Sequence, residues 1–258
     1  MTTYYLWLSL PLLLLIFYPT KEQINKELRT KETISLQQIK EIKNDTTQLI
    51  KKQLTCFIHK KRLSLHRMVK HLYIIAGCNG AGKTTASMTI LPKTLLVKEF
   101  VNADEIAKGL SPLNPEGAAI EAGRLMLQRI DYLLSKDESF SIETTLATRS
   151  YIKLIEKAHQ RGFVVNLLFF WLPSPELASI RVTERVRNGG HNIPKDTIYR
   201  RYVLGISNLF NLFMSKVDIW SIYDNSIQPK ERIAFGGNSI RTRISNEVKF
   251  RKIRSYVK

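Results

Sequence analysis

The sequence predicts an α/β fold, a mostly parallel sheet with helices on both faces, and three observations carry that prediction. From residue 68 onward, apolar runs of strand length alternate with longer amphipathic segments. Phe163–Leu172 (FVVNLLFFWL) is apolar throughout except for Asn166, as a central strand buried on both sides requires. Leu72–Ala76, the first run, passes straight into a glycine-rich turn and then a helical stretch, the order of a strand–loop–helix unit.

The turn is Gly77-Cys78-Asn79-Gly80-Ala81-Gly82-Lys83-Thr84, a complete Gly-x-x-x-x-Gly-Lys-Thr phosphate-binding loop. Glycines allow backbone conformations and close approaches that a Cβ would block. The loop's N–H groups and the start of the next helix then converge on phosphate oxygens. Lys83 adds a charge toward the β and γ phosphates, and the Thr84 hydroxyl is a ligand for Mg²⁺. The expected nucleotide-binding set is Gly77, Asn79, Gly80, Ala81, Gly82, Lys83, Thr84 and Thr85, with Thr84 the metal residue.

Downstream, the pattern predicts a helix over 83–91, which stops before Pro92. A short strand over 100–104 ends in Asp104, and a long helix from Pro115 to Leu134 has the apolar stripe Ala119, Ala122, Met126, Ile130 and Leu133. A strand over 139–143 ends in Glu143, and a helix spans 148–161. After the central strand come a helix to Arg187 and a glycine-rich loop over 188–194. A helix over 195–215 comes next, with the core face Ile198, Tyr202, Ile206, Leu209 and Phe213. Strands are expected over 218–223 and 232–235, and the basic tail beyond Gly237 is ambiguous.

In open parallel sheets, ligands bind outside the carboxyl ends of the strands, where Asp104, Glu143 and Asp224 fall. Asp104 is placed to accept the proton of an attacking hydroxyl, or else to cap the helix beginning at Glu105. Glu143, Thr144 and Thr145 offer a carboxylate and hydroxyls for sugar hydroxyls or a Mg²⁺-bound water; either threonine equally suits a helix N-cap. Asp224 is expected near the base or ribose of the nucleotide. Arg181, Arg185 and Arg187 before the glycine loop, with Arg200 and Arg201 after it, suit a small arginine-bearing lid over a transferring phosphoryl group; the alternative is a solvated basic helix pair. Glu121 and Arg124, one turn apart, form a substrate-wall candidate or a surface ion pair.

Net charge is +18: residues 1–70 carry 13 Lys and Arg against 5 Asp and Glu, and residues 71–258 carry 27 against 17. A basic catalytic half suits a partner with several phosphates, whether nucleotide or nucleic acid. The lack of a basic patch interleaved with aromatics argues against an ATP-gated nucleic-acid-binding module, which remains the reading from another class. Two cysteines, Cys56 and Cys78, form no disulfide framework or metal cluster and point to a reducing, cytoplasmic setting.

Residues 1–67 are expected to form an N-terminal extension to a domain over 68–258. Tyr4–Tyr18 is an apolar block of 15 residues broken by Pro11, short of the roughly 20 a spanning helix needs. If it inserts, it is a membrane anchor with Lys21, Lys26 and Arg29 keeping the remainder of the chain in the cytoplasm. Residues 21–67 suit a solvated helix or linker. The whole stretch also fits an upstream extension of a reading frame that starts at Met68.

Taken as an ordered set, these motifs resemble zeta toxin-like kinases, especially short bacterial members. The resemblance spans Met68 to Ser226. Besides the phosphate loop it rests on VNAD around Asp104, NPEGAAIEAGR (Asn114–Arg124), FSIETTLATR (Phe140–Arg149), RVRNGGHNIP (Arg185–Pro194) with IYRRY, and YDNS (Tyr223–Ser226). It implies a P-loop kinase fold and ATP- and Mg²⁺-dependent phosphorylation of a hydroxyl, for zeta toxins the 3′-hydroxyl of the nucleotide sugar UDP-N-acetylglucosamine. It also implies Asp104 as general base, Lys83 and Thr84 on phosphate and Mg²⁺, Glu143 and Thr145 on the substrate, and Arg187 with Arg200 clamping the phosphates. An inhibiting antitoxin would be a separate chain. The interval from Asp104 to Glu143 is shorter than in the longer toxins, so a kinase for another small molecule, such as a nucleotide or an antibiotic hydroxyl, is the neighbouring alternative.

Overall fold

A single seven-stranded sheet organises the protein, in the order β2-β3-β1-β4-β5-β6-β7. The computed structural model describes residues 69–257 apart from 91, 93, 94, 96, 188 and 191. The expectations for residues 1–67, Met68, Asn188 and His191 lie outside the described residues. Along the chain the elements are β1 (His71–Ala76), α1 (Lys83–Ile90), β2 (Glu99–Val101), α2 (Ala103–Leu110), α3 (Ala119–Ser135), β3 (Phe140–Thr144) and α4 (Tyr151–Gln160). Next come β4 (Val164–Trp171), α5 (Pro175–Arg187), α6 (Lys195–Asn208) with a π-helical turn (Leu209–Phe213), and β5 (Ile219–Asp224). The chain then turns back through β6 (Glu231–Gly237), β7 (Ile240–Ile244) and α7 (Glu247–Arg254).

Strands β1 to β5 pair in parallel, whereas β5–β6 and β6–β7 are antiparallel. From β1 the chain crosses outward past β3 to reach β2, while the passage from β3 to β4 crosses in the opposite sense. Right-handed crossovers in opposite senses put helices on both faces. They also make the crevice between β1 and β3 the topological switch point. Facing each other there, in register, are Ile75 with Glu143 and Ala76 with Thr144.

β4 lies between β1 and β5 as its apolar run predicts, and Val165, Leu167, Phe169, Phe170 and Trp171 are buried. The five predicted core positions of α6 and its π-turn are also buried. Burial of each large apolar side chain contributes about 1.5–3 kcal/mol. Inside this layer the Trp171 indole donates to the Tyr202 hydroxyl (3.0 Å), which donates to the Leu172 carbonyl (2.7 Å). That buried chain fixes α6 against the end of β4.

Three boundaries differ from the sequence expectation. The strand over 100–104 ends at Val101, because the Asn102 side chain accepts the Asp104 N–H and starts α2. The helix after Pro115 begins only at Ala119; Ala118 is buried where the stripe predicted Ala119. The ambiguous tail is an edge strand and a helix capped by Asn246, which accepts from the Lys249 N–H. Among the described residues no helix is long and apolar enough to cross a membrane.

Candidate active site

At the end of β1 the backbone takes up left-handed conformations that only glycine adopts readily, with φ +141° at Gly77 and +72° at Gly82. A Cβ on Gly77 would collide with the Phe170 carbonyl oxygen, and one on Gly82 would lie 2.5 Å from Asn225 Nδ2. The loop is therefore pressed against β4 and the end of β5, directly before the first turn of α1. That cradle fits phosphate oxygens, which the start of a helix and consecutive backbone N–H groups attract. Asn79, Ala81 and Lys83 are buried in it, Gly80 and Thr84 are partly covered, and Thr85 is exposed.

Lys83 is 6% exposed; its Nζ donates to the Cys78 carbonyl (3.1 Å) and lies 3.5 Å from Glu143 Oε1. The Thr84 hydroxyl donates to Glu143 Oε2 at 2.8 Å, and Asn102 Nδ2 donates to the same oxygen at 3.0 Å. Strand register explains the meeting. Val101 pairs with Ile142, so the next residues on β2 and β3 are Asn102 and Glu143, and β3 lies beside β1. Glu143, expected on the acceptor side, thus sits against the lysine and threonine of the phosphate loop. A hydroxyl and a carboxylate so placed fit a hydrated Mg²⁺ completed by phosphate oxygens and water. Among the described residues no group of three or more His, Cys, Asp or Glu could hold a metal without such help.

Asn102 is the member of this cluster that sequence reasoning missed. Its Oδ1 accepts the Asp104 N–H at 2.8 Å while its Nδ2 holds Glu143, so one amide links α2 to the loop carboxylate. A signal exists: Asn is a strong N-cap residue, and it directly precedes the short amphipathic run of α2. Asp104 is not the cap. It lies exposed in the first turn of α2, where a negative charge is favourable. Burial raises the Tyr151 hydroxyl at the start of α4, a hydrogen bond with Thr144 opposes this, and the Asp104 charge raises it further.

Thr145 is half-buried, and its hydroxyl accepts the Ala147 N–H at 3.5 Å. The adjacent Leu146 is fully buried with φ +56°, a conformation costing on the order of 1–3 kcal/mol. Asn208 of α6 holds it by donating to the Leu146 carbonyl at 2.7 Å. Glu121 is exposed in the first turn of α3. Arg124, one turn on, borders a groove of about 640 Å³ between α3 and α4 that begins at Ala103 and Tyr151 and has Met126, Leu127 and Ile130 on its walls.

Arg187, ending α5, and Arg200, on α6, are both exposed. Arg201 is the α6 arginine bonded to the loop, donating to Asn79 Oδ1 at 3.2 Å. Buried Tyr202 sets the roll of the helix, and successive residues point about 100° apart, so Arg200 and Arg201 face different ways. Arg181 donates to the backbone carbonyls of Asn225 (3.0 Å) and Ser226 (3.5 Å).

Asp224 is not positioned for a base or ribose. It is fully buried and ion-paired with Lys249 of α7, which the antiparallel return through β6 and β7 brings over the end of β5. The loop contact from this region is Asn225, whose Nδ2 donates to the Ala81 carbonyl at 2.6 Å. Its Oδ1 is buried without a hydrogen-bond partner among the described residues, at a cost of roughly 1–3 kcal/mol.

Cys78 is 4% exposed, and burial pushes its thiol up to about 11 against the pull of the Lys83 charge. At pH 8 its thiolate fraction is then on the order of a hundredfold below that of an ordinary thiol. Brief iodoacetamide treatment of the native protein at pH 8, followed by peptide mapping, is expected to leave Cys78 unmodified. Alkylation there at the rate of a free thiol would contradict the buried position.

A family model described as Zeta toxin matches residues 57–212. An uncharacterised protein of Haemophilus influenzae (strain Rd) is 30% identical over 141 residues, covering 55% of this chain and 99% of its own. Among solved structures, the AvrRxo1-ORF1:AvrRxo1-ORF2 complex with sulphate ions superposes with a TM-score of 0.61 at 17% identity, covering 78% of this chain and 72% of the other. The same pair with ATP gives 0.60 at 18% identity, covering 73% and 64%. A structure from the PezAT chromosomal toxin–antitoxin system of Streptococcus pneumoniae gives 0.54 at 17% identity, covering 73% and 78%. With a complete phosphate loop at the β1–β3 switch point and a family model matched over more than half its length, the chain belongs to the zeta toxin family of P-loop kinases.

Proposed function

We propose that the protein is an ATP- and Mg²⁺-dependent kinase that phosphorylates a hydroxyl of a small molecule, a nucleotide sugar of the UDP-N-acetylglucosamine type, and acts as a toxin restrained by a separate antitoxin chain. The observation that carries this reading is the cluster of Lys83, Thr84, Glu143 and Asn102 beside the phosphate loop, with Asp104 two residues beyond Asn102. In this reading the loop N–H groups and Lys83 hold the β and γ phosphates, while Thr84 and Glu143 hold the metal side. Asp104 takes the acceptor's proton, and Arg187 and Arg200 close over the transferring group. Mg²⁺, when bound, supplies neutralisation of phosphate charge.

Glu121 and Thr145 line the acceptor side, and the groove bordered by Ala103 offers Arg124 and Lys153 to an anionic acceptor. A structural neighbour solved with ATP and two others from paired protein systems support the nucleotide and the antitoxin.

The test is transfer of label from γ-labelled ATP to a panel of UDP-sugars, nucleosides and chloramphenicol. Labelled UDP-N-acetylglucosamine is the expected product. Label on a nucleoside or on chloramphenicol instead would replace the acceptor, and no transfer to any hydroxyl would remove the kinase reading.

A further inference from the structure

Beyond the residues that the family model matches, the chain folds back through β6, β7 and α7 and places a charge network, centred on buried Asp224 with Lys249 and Glu231 partly exposed, behind the phosphate loop. At its centre, Asp224 Oδ1 accepts the Ser226 N–H (2.8 Å) and hydroxyl (2.6 Å). Asp224 Oδ2 accepts from Lys249 Nζ at 2.6 Å. Lys249 also reaches Glu231 at 2.6 Å, and Asn246, the cap of α7, donates to Glu231 at 2.8 Å. Burial works to raise the Asp224 carboxyl, yet the bonds from Lys249 and Ser226 hold it below the usual range. The network is therefore ionised and closed around neutral pH.

Between Asp224 and Ser226 stands Asn225, and every point of its backbone is tied. Its N–H donates to the Trp171 carbonyl at 3.0 Å, and its own carbonyl accepts from Arg181 at 3.0 Å. Its side chain ends on Ala81, with the Gly82 backbone packed against the same amide nitrogen. The loop has no slack on this side, so a shift of the Asp224–Ser226 turn moves Ala81 and Gly82 with it.

We propose that Lys249 is a positioning residue for nucleotide binding: from α7, outside the residues that the family model matches, it locks Asp224 and thereby the Asn225 amide that fixes the floor of the phosphate loop. This rests on the reading of that loop as an ATP site. It makes the C-terminal hairpin and helix a required part of the nucleotide site.

The experiment measures MgATP affinity by calorimetry and hydrogen exchange of amides 78–84 in the full chain. It compares wild type with Lys249→Met, Lys249→Arg, Asn225→Ala and the Lys249→Met/Asn225→Ala double variant. Displacing loop atoms by fractions of an ångström is expected to weaken ATP binding roughly tenfold to a hundredfold in Lys249→Met. Loop amides exchange faster there while those of β1 and β4 keep their protection. Lys249→Arg, which still spans both carboxylates, retains wild-type behaviour. The double variant is no weaker than Asn225→Ala alone, because members of one relay are not additive.

Should Lys249→Met fail to fold around an uncompensated carboxylate, Asp224→Asn/Lys249→Met removes both charges and the same two measurements decide. A folded variant with wild-type affinity and loop exchange overturns the inference, as do effects at 249 and 225 that simply multiply. A wild-type protein that binds no ATP overturns the ATP reading instead, and the exchange comparison, which needs no ligand, still decides the relay.

Discussion

Replacing Lys83 by methionine is expected to abolish phosphoryl transfer, lowering turnover by at least about 10²–10³-fold, or roughly 2.7–4 kcal/mol of transition-state stabilisation. The ammonium is held in advance between the Cys78 carbonyl and Glu143, so it meets developing charge on the phosphoryl oxygens without reorganising. Methionine fills the same buried channel with an unbranched chain of similar length. Glu143 keeps its bonds from Thr84 and Asn102, so the sheet and loop survive. Lys83→Arg separates charge from shape. It preserves an ion pair with Glu143, but a planar guanidinium cannot take the place of a compact ammonium beneath the loop carbonyl, and activity stays low. Transfer assays with circular dichroism on the same samples check this. A folded Lys83→Met protein with more than a tenth of wild-type activity would remove the lysine from the reaction.

Features legible in the sequence and features hidden from it divide on physical lines. Locally encoded ones come through: Gly77, Gly80 and Gly82 sit where the backbone turns left-handed, and the FVVNLLFFWL run is the buried strand between β1 and β5. So does the apolar face of α6, because period-3.6 patterning depends only on the helix itself. Pairwise meetings across the sheet do not. That Glu143 meets Lys83 depends on β3, and not β2, lying next to β1, and no residue pattern states strand order. Asn102 escapes notice because a strand ending in a carboxylate and a helix capped by an amide share the string Asn-Ala-Asp. Which of the adjacent arginines reaches Asn79, Arg201, is a matter of one residue of helical roll, settled by how Tyr202 packs under Trp171. Asp224 is misplaced for a similar reason: its partner, Lys249, is 25 residues away on a helix that composition alone leaves undefined.

The carboxylates of Asp104 and Glu143 are expected to fail in opposite ways. Asp104→Asn should leave MgATP affinity within about twofold and lower turnover by roughly 10²–10⁴-fold, the usual contribution of a general base. The residue is exposed in the first turn of α2, its backbone N–H stays bound to Asn102, and losing the charge costs the helix only about 0.3–1 kcal/mol. Glu143→Gln should instead weaken Mg²⁺-dependent nucleotide binding at least tenfold, and turnover with it. Thr84 and Asn102 both donate to Oε2 and the Lys83 ammonium lies 3.5 Å from Oε1, so a glutamine that keeps its one oxygen for Thr84 and Asn102 loses the charge and sets its N–H₂ against Lys83. Turned the other way, the amide sets its N–H₂ against Thr84, which can rotate to accept, and against Asn102, which cannot turn over without releasing the Asp104 N–H. Either orientation therefore leaves a donor facing a donor in a largely buried cluster, which is costly. Calorimetry with and without Mg²⁺, beside single-turnover transfer, separates the two variants. If Asp104→Asn loses nucleotide affinity while Glu143→Gln loses only turnover, the roles are exchanged and Glu143 is the base.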